Sequence, residues 1–332
     1  MVFYDFRNNN FRRQAEVIHD NKQSMKTDLR IVSSILLVTV AFSAASQPEF
    51  VQQIPRASAH FTEAGQLVFF VSNDSLFRTD GTAAGTLFLA KGLKFEQPPR
   101  LLAFNDLFIF AVFDPNGSGS QIGRELWRSD GTITGTYRLL ASDYSLKILD
   151  VVGSTLYLTA NGELFKTDGT LGGTTLVKDI RPGDQGSFPI PLTAVGNELF
   201  FAADDGVHGR ELWKTDGTSS GTVMIKDISP GMPSGVFASN ATAFENRAYF
   251  SATTADAGNE LWVSDGTSDG TFMVEDLVPG DSSSASIEFG LDKDGWLYFF
   301  SSTTLIDEPD FDQAETELWR TDGTSAGTEM IK

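Results

Sequence analysis

Cysteine is missing from all 332 residues. Its absence removes disulfides, thiolate metal sites, a cysteine nucleophile and the lipidated cysteine of a bacterial lipoprotein. Histidine is nearly as scarce, with three in the chain, so metal chemistry built on imidazole clusters has little to work with. Cations are also short: 25 Lys and Arg stand against 44 Asp and Glu, a formal net charge of −19. A surface of that sign cannot neutralise a phosphate backbone, which argues against nucleic acid as a partner. It favours solubility outside the cell and makes divalent cations acceptable guests. Long stretches rich in Ala, Glu, Lys and Leu are lacking as well, which counts against helices.

What is present points to strands. Apolar residues make up 41% of the chain, enough for a large core, and 31 Gly and 27 Phe favour many short strands joined by turns. Near the start, Lys26 and Arg30 precede an apolar run from Ile31 to Phe42, followed by the small residues Ser43, Ala44 and Ala45. That order reads as a signal peptide with its start at Met25. The run is too short for the ~20 residues of a spanning helix, so no stable membrane span is expected after cleavage. Removing residues 1–45 takes away six Lys/Arg and four Asp/Glu, leaving −21 and two histidines, His60 and His208. The expected location is therefore outside the cytoplasm: extracellular, on the cell surface or periplasmic.

Beyond residue 45 the chain repeats itself. Glu125-Leu126-Trp127-Arg128-Ser129-Asp130-Gly131-Thr132 recurs from Glu211, Glu260 and Glu317, with weaker copies from Ser75 and Glu163 that place Phe77 and Phe165 in the Trp slot. Each Asp-Gly-Thr is followed by two variable residues and Gly-Thr. The six aspartates, Asp80, Asp130, Asp168, Asp216, Asp265 and Asp322, are spaced by 50, 38, 48, 49 and 57 residues. Spacings of ~40–50 residues are those of propeller blades. The repeats run approximately over 51–93, 94–141, 142–181, 182–229, 230–278 and 279–332.

One repeat parses into four strands. In the fourth copy these are Leu192–Val195, Glu198–Ala203, Glu211–Thr215 and Thr222–Ile228, designated A to D. The B strands are nearly continuous apolar runs, as in L-F-I-F-A-V-F and L-F-F-A-A. A strand with one wet face alternates, so both faces of these sheets are expected to be covered. Leu212 and Trp213 are adjacent and must point to opposite faces. The expected fold is all-β, a β-propeller of about six four-stranded antiparallel blades. A pair of β-sandwiches or an open array of repeats are the alternatives.

The recurring E-L-W-x-x-D-G-T-x-x-G-T, continued by K-D-I and x-P-G at Lys178–Gly183 and Lys226–Gly231, resembles the ELWxxDGT-repeat family of bacterial exported, hyalin-like repeat proteins. The likeness covers roughly residues 60–332. It implies an exported repeat protein of the cell surface with no general enzymatic activity, and it offers no catalytic residues to carry over. The first and third copies are degenerate, and at Lys332 the repeat would continue with D-I and x-P-G.

Chemistry can be sought in three places. The six Asp-Gly-Thr aspartates read as structural turns, since a single site needs its chemistry once and a building block needs it in every copy. Loops say more. In a meander, the A–B and C–D turns share one rim and the B–C and D–A connections the other. The C–D loops are uniform. The B–C connections range from the tight Asn161-Gly162 pair to Asp114–Arg124, Asp204–Arg210, Thr253–Asn259 and Thr303–Thr316. Variable loops on a rigid scaffold are where binding resides. Asp204, Asp205 and His208 on that rim are the candidate ligand residues, and an extracellular protein or glycan the expected partner.

The loop carrying Asp114, Asn116, Ser118 and Gly119 and ending at Glu125 has the oxygen spacing of an EF-hand calcium loop, without flanking helices. Calcium is the one cofactor considered, against an ordinary polar loop. No G-x-S-x-G, phosphate loop, dinucleotide fingerprint or H-E-x-x-H occurs. The non-catalytic reading, a binding, adhesion or surface-structural module, is the leading one. The alternative is a secreted hydrolase or lyase acting on a carbohydrate or lactone with carboxylates at a propeller mouth.

Overall fold

The computed structural model describes residues 60–95, 101–114, 123–143, 145–231, 234–236, 240–277, 284–304 and 314–332. Residues 1–45, the segment expected to be a signal peptide, lie outside them. Among the described residues the chain is all-β, with no helix long and apolar enough to cross a membrane.

Six separate sheets follow one another in chain order, each a four-stranded antiparallel meander. They begin at His60–Ala64, Leu101–Phe104, Lys147–Val152, Ile190–Val195, Ala241–Phe244 and Ser284–Lys293. The second carries an additional two-residue strand, Lys94–Phe95, paired to Val112 and Phe113. In the fourth sheet the strands are Ile190–Val195, Glu198–Asp204, Arg210–Thr215 and Val223–Lys226. They lie within two residues of the sequence expectation at each shared end.

The apolar B strands are buried because both faces are covered. Alternation sends successive side chains to opposite faces, and each face meets a different neighbour. In the fourth sheet Phe201 and Trp213 pack toward the third sheet, beside Leu164 and Val177. Phe200, Ala202 and Leu212 pack toward the fifth, beside Phe250 and Trp262. Five such clusters join the first sheet to the second, the second to the third, and so on to the sixth. Leu76, Leu126, Leu164, Leu212 and Leu261, the leucines of the first five E-L-W elements, are each 0% exposed within the cluster to the following sheet. The Trp slot faces the preceding sheet, as with Trp213, Trp262 and Trp319. Adjacent apolar letters in the motif thus serve two different interfaces. Burying one such leucine is worth roughly 1.5–3 kcal/mol.

Two expectations are corrected: the excursion expected over Thr303–Thr316 is narrowed by the pairs Thr303↔Glu315 and Thr304↔Ala314, and a second narrows in the same way. Thr253–Asn259 was read as a long excursion, but the hairpin ladder extends through Thr253↔Asn259 to Thr254↔Gly258. Only Ala255, Asp256 and Ala257 are left to turn. Thr253 and Asn259 have enough extended character to stay in register once the neighbouring pairs are set, so the ladder continues as far as geometry allows.

Candidate functional site

Two rims of the sheets differ in chemistry. On the C–D rim the same set of hydrogen bonds occurs in every copy. In the fourth, Asp216 Oδ1 accepts from the Thr218 amide at 2.8 Å and the Thr218 hydroxyl at 2.7 Å. Gly221 N donates to Thr218 Oγ1 at 2.9 Å, and the Thr222 hydroxyl donates to the Thr218 carbonyl at 2.7 Å. Gly217 N donates to Thr215 Oγ1 at 2.9 Å, and Thr215 and Thr222 share a hydroxyl pair at 2.7 Å. The aspartate and its threonine repeat this around Asp80, Asp130, Asp168, Asp265 and Asp322.

Each fixed letter of D-G-T-x-x-G-T has its reason. The first glycine, as at Gly217, has φ +86, where a side chain is strained. The second, as at Gly221, lies so near the Asp216 carboxylate that a Cβ would overlap it. The threonine hydroxyl and amide hold Asp216 below the usual carboxylate range. For Asp130 burial pulls upward, but Thr132 and Arg128 outweigh it. In all six copies Oδ1 of the aspartate accepts both of these bonds from within its own loop.

The C–D loops also receive side chains from the sheet before. Arg78 Nε donates to the Gly131 carbonyl at 3.1 Å, Arg128 Nη1 to that of Gly169 at 3.1 Å, and Lys166 Nζ to that of Gly217 at 2.7 Å. Lys178 and Lys226, the lysines of K-D-I, reach the Thr222 carbonyl at 2.7 Å and the Thr271 carbonyl at 2.6 Å. At the last junction the Ser325 hydroxyl donates to Glu275.

The opposite rim is built on the glutamate of E-L-W, whose role the sequence left open. Glu211, 0% exposed, accepts from Ile228 N at 2.8 Å and Gly235 N at 2.9 Å. Glu163 accepts from Ile180 N at 3.0 Å, Ser187 N at 2.7 Å and Ser187 Oγ at 2.7 Å. Glu260 accepts from Leu277 N at 2.8 Å. In these three copies the glutamate therefore clamps the D–A connection to its own sheet, each time 17 residues on, and that fixed spacing was the signal that could have revealed it. Burial pushes the Glu211 carboxyl up to about 7, with Asp227 adding to the rise and the amides opposing it. Glu125 and Glu317 hold the indole of Trp127 and Trp319 instead, at 2.9 and 3.1 Å. With Glu211 and Glu260 turned to the linker, Trp213 Nε1 and Trp262 Nε1 have no hydrogen-bond partner among the described residues.

Between these clamps lies the loop from Asp204 to Arg210. Asp204 Oδ2 pairs with Arg181 Nη1 of the D–A connection at 2.5 Å, and Oδ1 accepts from Gly206 N at 2.7 Å. Asp205 Oδ1 accepts from Val207 N at 2.8 Å and His208 N at 2.9 Å, while Oδ2 meets His208 Nδ1 at 2.7 Å. That bond to Asp205 raises the pKa of His208, with Asp227 and Glu211 adding to it. Burial works against Asp205, but the bonds from His208 and Val207 carry it below its usual range. Val207 stands at the tip, 80% exposed. All three residues singled out from the sequence share this loop, with Arg181 as the partner that sequence reading missed. Both carboxylates accept from turn amides, and each has one side-chain partner, Arg181 for Asp204 and His208 for Asp205.

Of the calcium loop, Asn116 and Ser118 lie outside the described residues. Asp114 N donates to the Gly123 carbonyl at 2.8 Å. Glu125 is buried, with one carboxylate oxygen on Arg138 and the other on Trp127. Among the described residues no group of three or more His, Asp or Glu side chains is set to hold a metal.

No family model matches the chain. No curated protein matches it either. Among solved structures it is similar to a puromycin hydrolase mutant complexed with PGG, at 14% identity and a TM-score of 0.36, over 75% of this chain and 45% of that one. The chain thus spans less than half the length of that structure.

Proposed function

We propose that this chain is a non-catalytic, exported repeat protein of the ELWxxDGT type. It acts as a binding, adhesion or cell-surface structural module through its B–C and D–A rim, and its six sheets are blades arranged about an axis as in a propeller. The observation that carries this reading is the contrast between the rims. The C–D loops repeat one closed set of hydrogen bonds six times. The other rim changes its loop length, charge and side chains from copy to copy, with a glutamate clamp at the base of three connections. Variable loops on a constant scaffold suit recognition of an extracellular protein or glycan. For the hydrolase alternative, Asp204 and Asp205 are the carboxylates at hand, and their oxygens are taken up by turn amides, by Arg181 of the D–A connection and by His208.

The test is a glycan and protein array probed with the purified chain and with a variant in which residues 205–209 are replaced by the tight Asn-Gly turn of the third copy. Binding lost in the variant, with its melting temperature kept, supports the rim. Binding that survives the replacement of both this loop and Ala255–Ala257, or hydrolysis of an arrayed sugar, overturns it.

A further inference from the structure

The D–A connections that follow the third and fourth sheets are built alike and end differently. In each, the E-L-W glutamate accepts from one backbone amide: Ser187 N donates to Glu163 Oε1 at 2.7 Å and Gly235 N to Glu211 Oε1 at 2.9 Å. The carbonyl of that residue accepts from the next B strand, from Asp204 N at 3.0 Å and from Thr253 N at 2.7 Å. The following amide donates back to the B–C loop of the sheet before, Phe188 N to the Gly162 carbonyl at 2.8 Å and Val236 N to the Arg210 carbonyl at 3.1 Å. Phe188 and Val236 therefore hold one position. Val236 is 0% exposed, in the core between the fourth and fifth sheets. Phe188 is 50% exposed.

The backbone at Phe188 is also strained. Its φ is +46, and among the described residues the seven other non-glycine residues with positive φ are Asn, Asp or Glu. A bulky side chain there is an outlier that persists only where its surroundings over-determine it. Here they do. The Ser187 amide and hydroxyl are both held by Glu163. The Pro189 carbonyl accepts from Thr159 Oγ1 at 3.2 Å. Gly186 lies against Gly162 with no room for a Cβ on either, and the Phe188 ring rests 3.5 Å from where a Gly162 Cβ would stand. Strain and an uncovered ring both oppose stability, and a side chain selected for packing would turn inward as Val236 does.

The chain around this ring is polar. Asp204, whose amide bonds the Ser187 carbonyl, pairs through Oδ2 with Arg181, and Arg181 Nη2 donates to Gln185 Oε1 at 2.7 Å. Gln185 is exposed, and with its oxygen on Arg181 its amide hydrogens are what it offers a ligand. One ring among such groups lacks the apolar centre of a protein interface. It suits a sugar, whose C–H face lies on an aromatic ring while its edge hydroxyls bond planar amide, guanidinium and carboxylate groups. On a chain of net charge −19 that sugar is a neutral one.

We infer that Phe188 is the stacking platform of a sugar subsite, which takes a neutral pyranose residue of a glycan and orients it with Arg181, Gln185 and Asp204. This rests on the reading of the B–C/D–A rim as a recognition surface and names the class of its ligand.

An array of neutral oligosaccharides and proteins, followed by calorimetric titration of each sugar that binds, tests this on the purified full chain. Phe188→Gly is the decisive variant, since glycine takes the positive φ without strain. Its melting temperature should stay or rise while sugar affinity falls at least about tenfold. Phe188→Tyr keeps the ring and should stay within about threefold of the wild type. A wild-type chain that binds no neutral oligosaccharide at millimolar concentration overturns the inference. Where the array then shows a protein ligand that is lost on replacing residues 205–209, the rim reading stands and the sugar falls. The same division follows if sugar binding survives Phe188→Gly and is lost with that loop. Sugar binding that survives both changes removes both readings. A melting temperature several degrees lower in Phe188→Gly would make the ring part of the packing and overturn the inference as well.

Discussion

The C–D rim and the B–C/D–A rim are made by the same strands, yet one is fixed in every copy and the other differs in every copy. On the first rim a polar loop satisfies itself: aspartate, two glycines and threonines close one set of hydrogen bonds in every copy, and four of the loops also take a cation from the sheet before. On the second a glutamate clamp holds the base of the connection in three copies, at Glu163, Glu211 and Glu260, while the loops differ from copy to copy. Repetition therefore marks scaffold here, and recognition has to be sought where repetition stops.

The sharpest way to break the uniform rim is Gly221→Ala. The new Cβ overlaps the Asp216 carboxylate, and the loop cannot yield without opening the Thr218 bonds. A loss of about 2–4 kcal/mol is expected by denaturant unfolding. Combined with Asp216→Ala, which removes the obstructing group, the loss should be smaller than the sum of the two single changes. Additivity within about 0.5 kcal/mol would show that the close approach is not the reason for the glycine.

On the variable rim the clamp should show itself through pH. Glu211 has its folded value pushed from 4.5 to about 7, so between those values the folded chain holds a proton that the unfolded chain has released. Stability from this group is complete below 4.5 and falls as the pH rises toward 7. The fall is on the order of 2–3 kcal/mol. The C–D aspartates act in the opposite sense, losing stability as acid protonates them. Unfolding measured from pH 4.5 to 7.5 should show the slope in the wild-type chain and lose it in Glu211→Gln. A slope unchanged in that variant would place the titration elsewhere.

Smaller again is Asp216→Ala. The carboxylate is exposed at the loop surface and accepts two bonds from Thr218, so about 1–2 kcal/mol is expected, as for loss of a helix cap. The equivalent change at any other copy should cost a similar amount, since the bonds are the same. A spread across the six as wide as the mean would contradict the identity of the loops.

The sequence already showed the scaffold, for a physical reason. Leu212 next to Trp213 demands two covered faces, and six copies of one motif demand six equivalent units; both demands are local and survive without knowledge of tertiary contacts. The Asp216 turn was legible for the same reason. Glu211 was not, because its partners Ile228 and Gly235 lie in the next connection and only the folded linker brings their amides to it. Arg181 was hidden likewise: it belongs to one repeat and pairs with Asp204 of the next. The strand extension to Thr254 and Gly258 escaped because polar residues at a hairpin end carry no apolar pattern. How the six sheets are set against one another depends on how each face turns on its neighbour, and a repeat length alone does not encode that angle.

The least disruptive probe of the variable rim is its histidine. His208 is partly exposed, its Nδ1 2.7 Å from Asp205, and that bond raises its pKa above the usual imidazole value. Since the folded value is raised, any contribution to stability is complete below the unfolded value of 6.5 and is lost as pH rises through the folded one. With the group this open to water the effect on unfolding should be slight, and the clearer observable is the titration itself. Proton NMR of the His208 ring should show a midpoint above that of an unstructured histidine, and Asp205→Asn should bring it back down while leaving the melting temperature nearly unchanged. Asp205 also caps the amides of Val207 and His208, a task the asparagine oxygen can take over, so the variant removes the charge and keeps the turn. A His208 midpoint that does not move in Asp205→Asn would mean that Asp227 and Glu211, and not the loop's own carboxylate, set the charge at the rim.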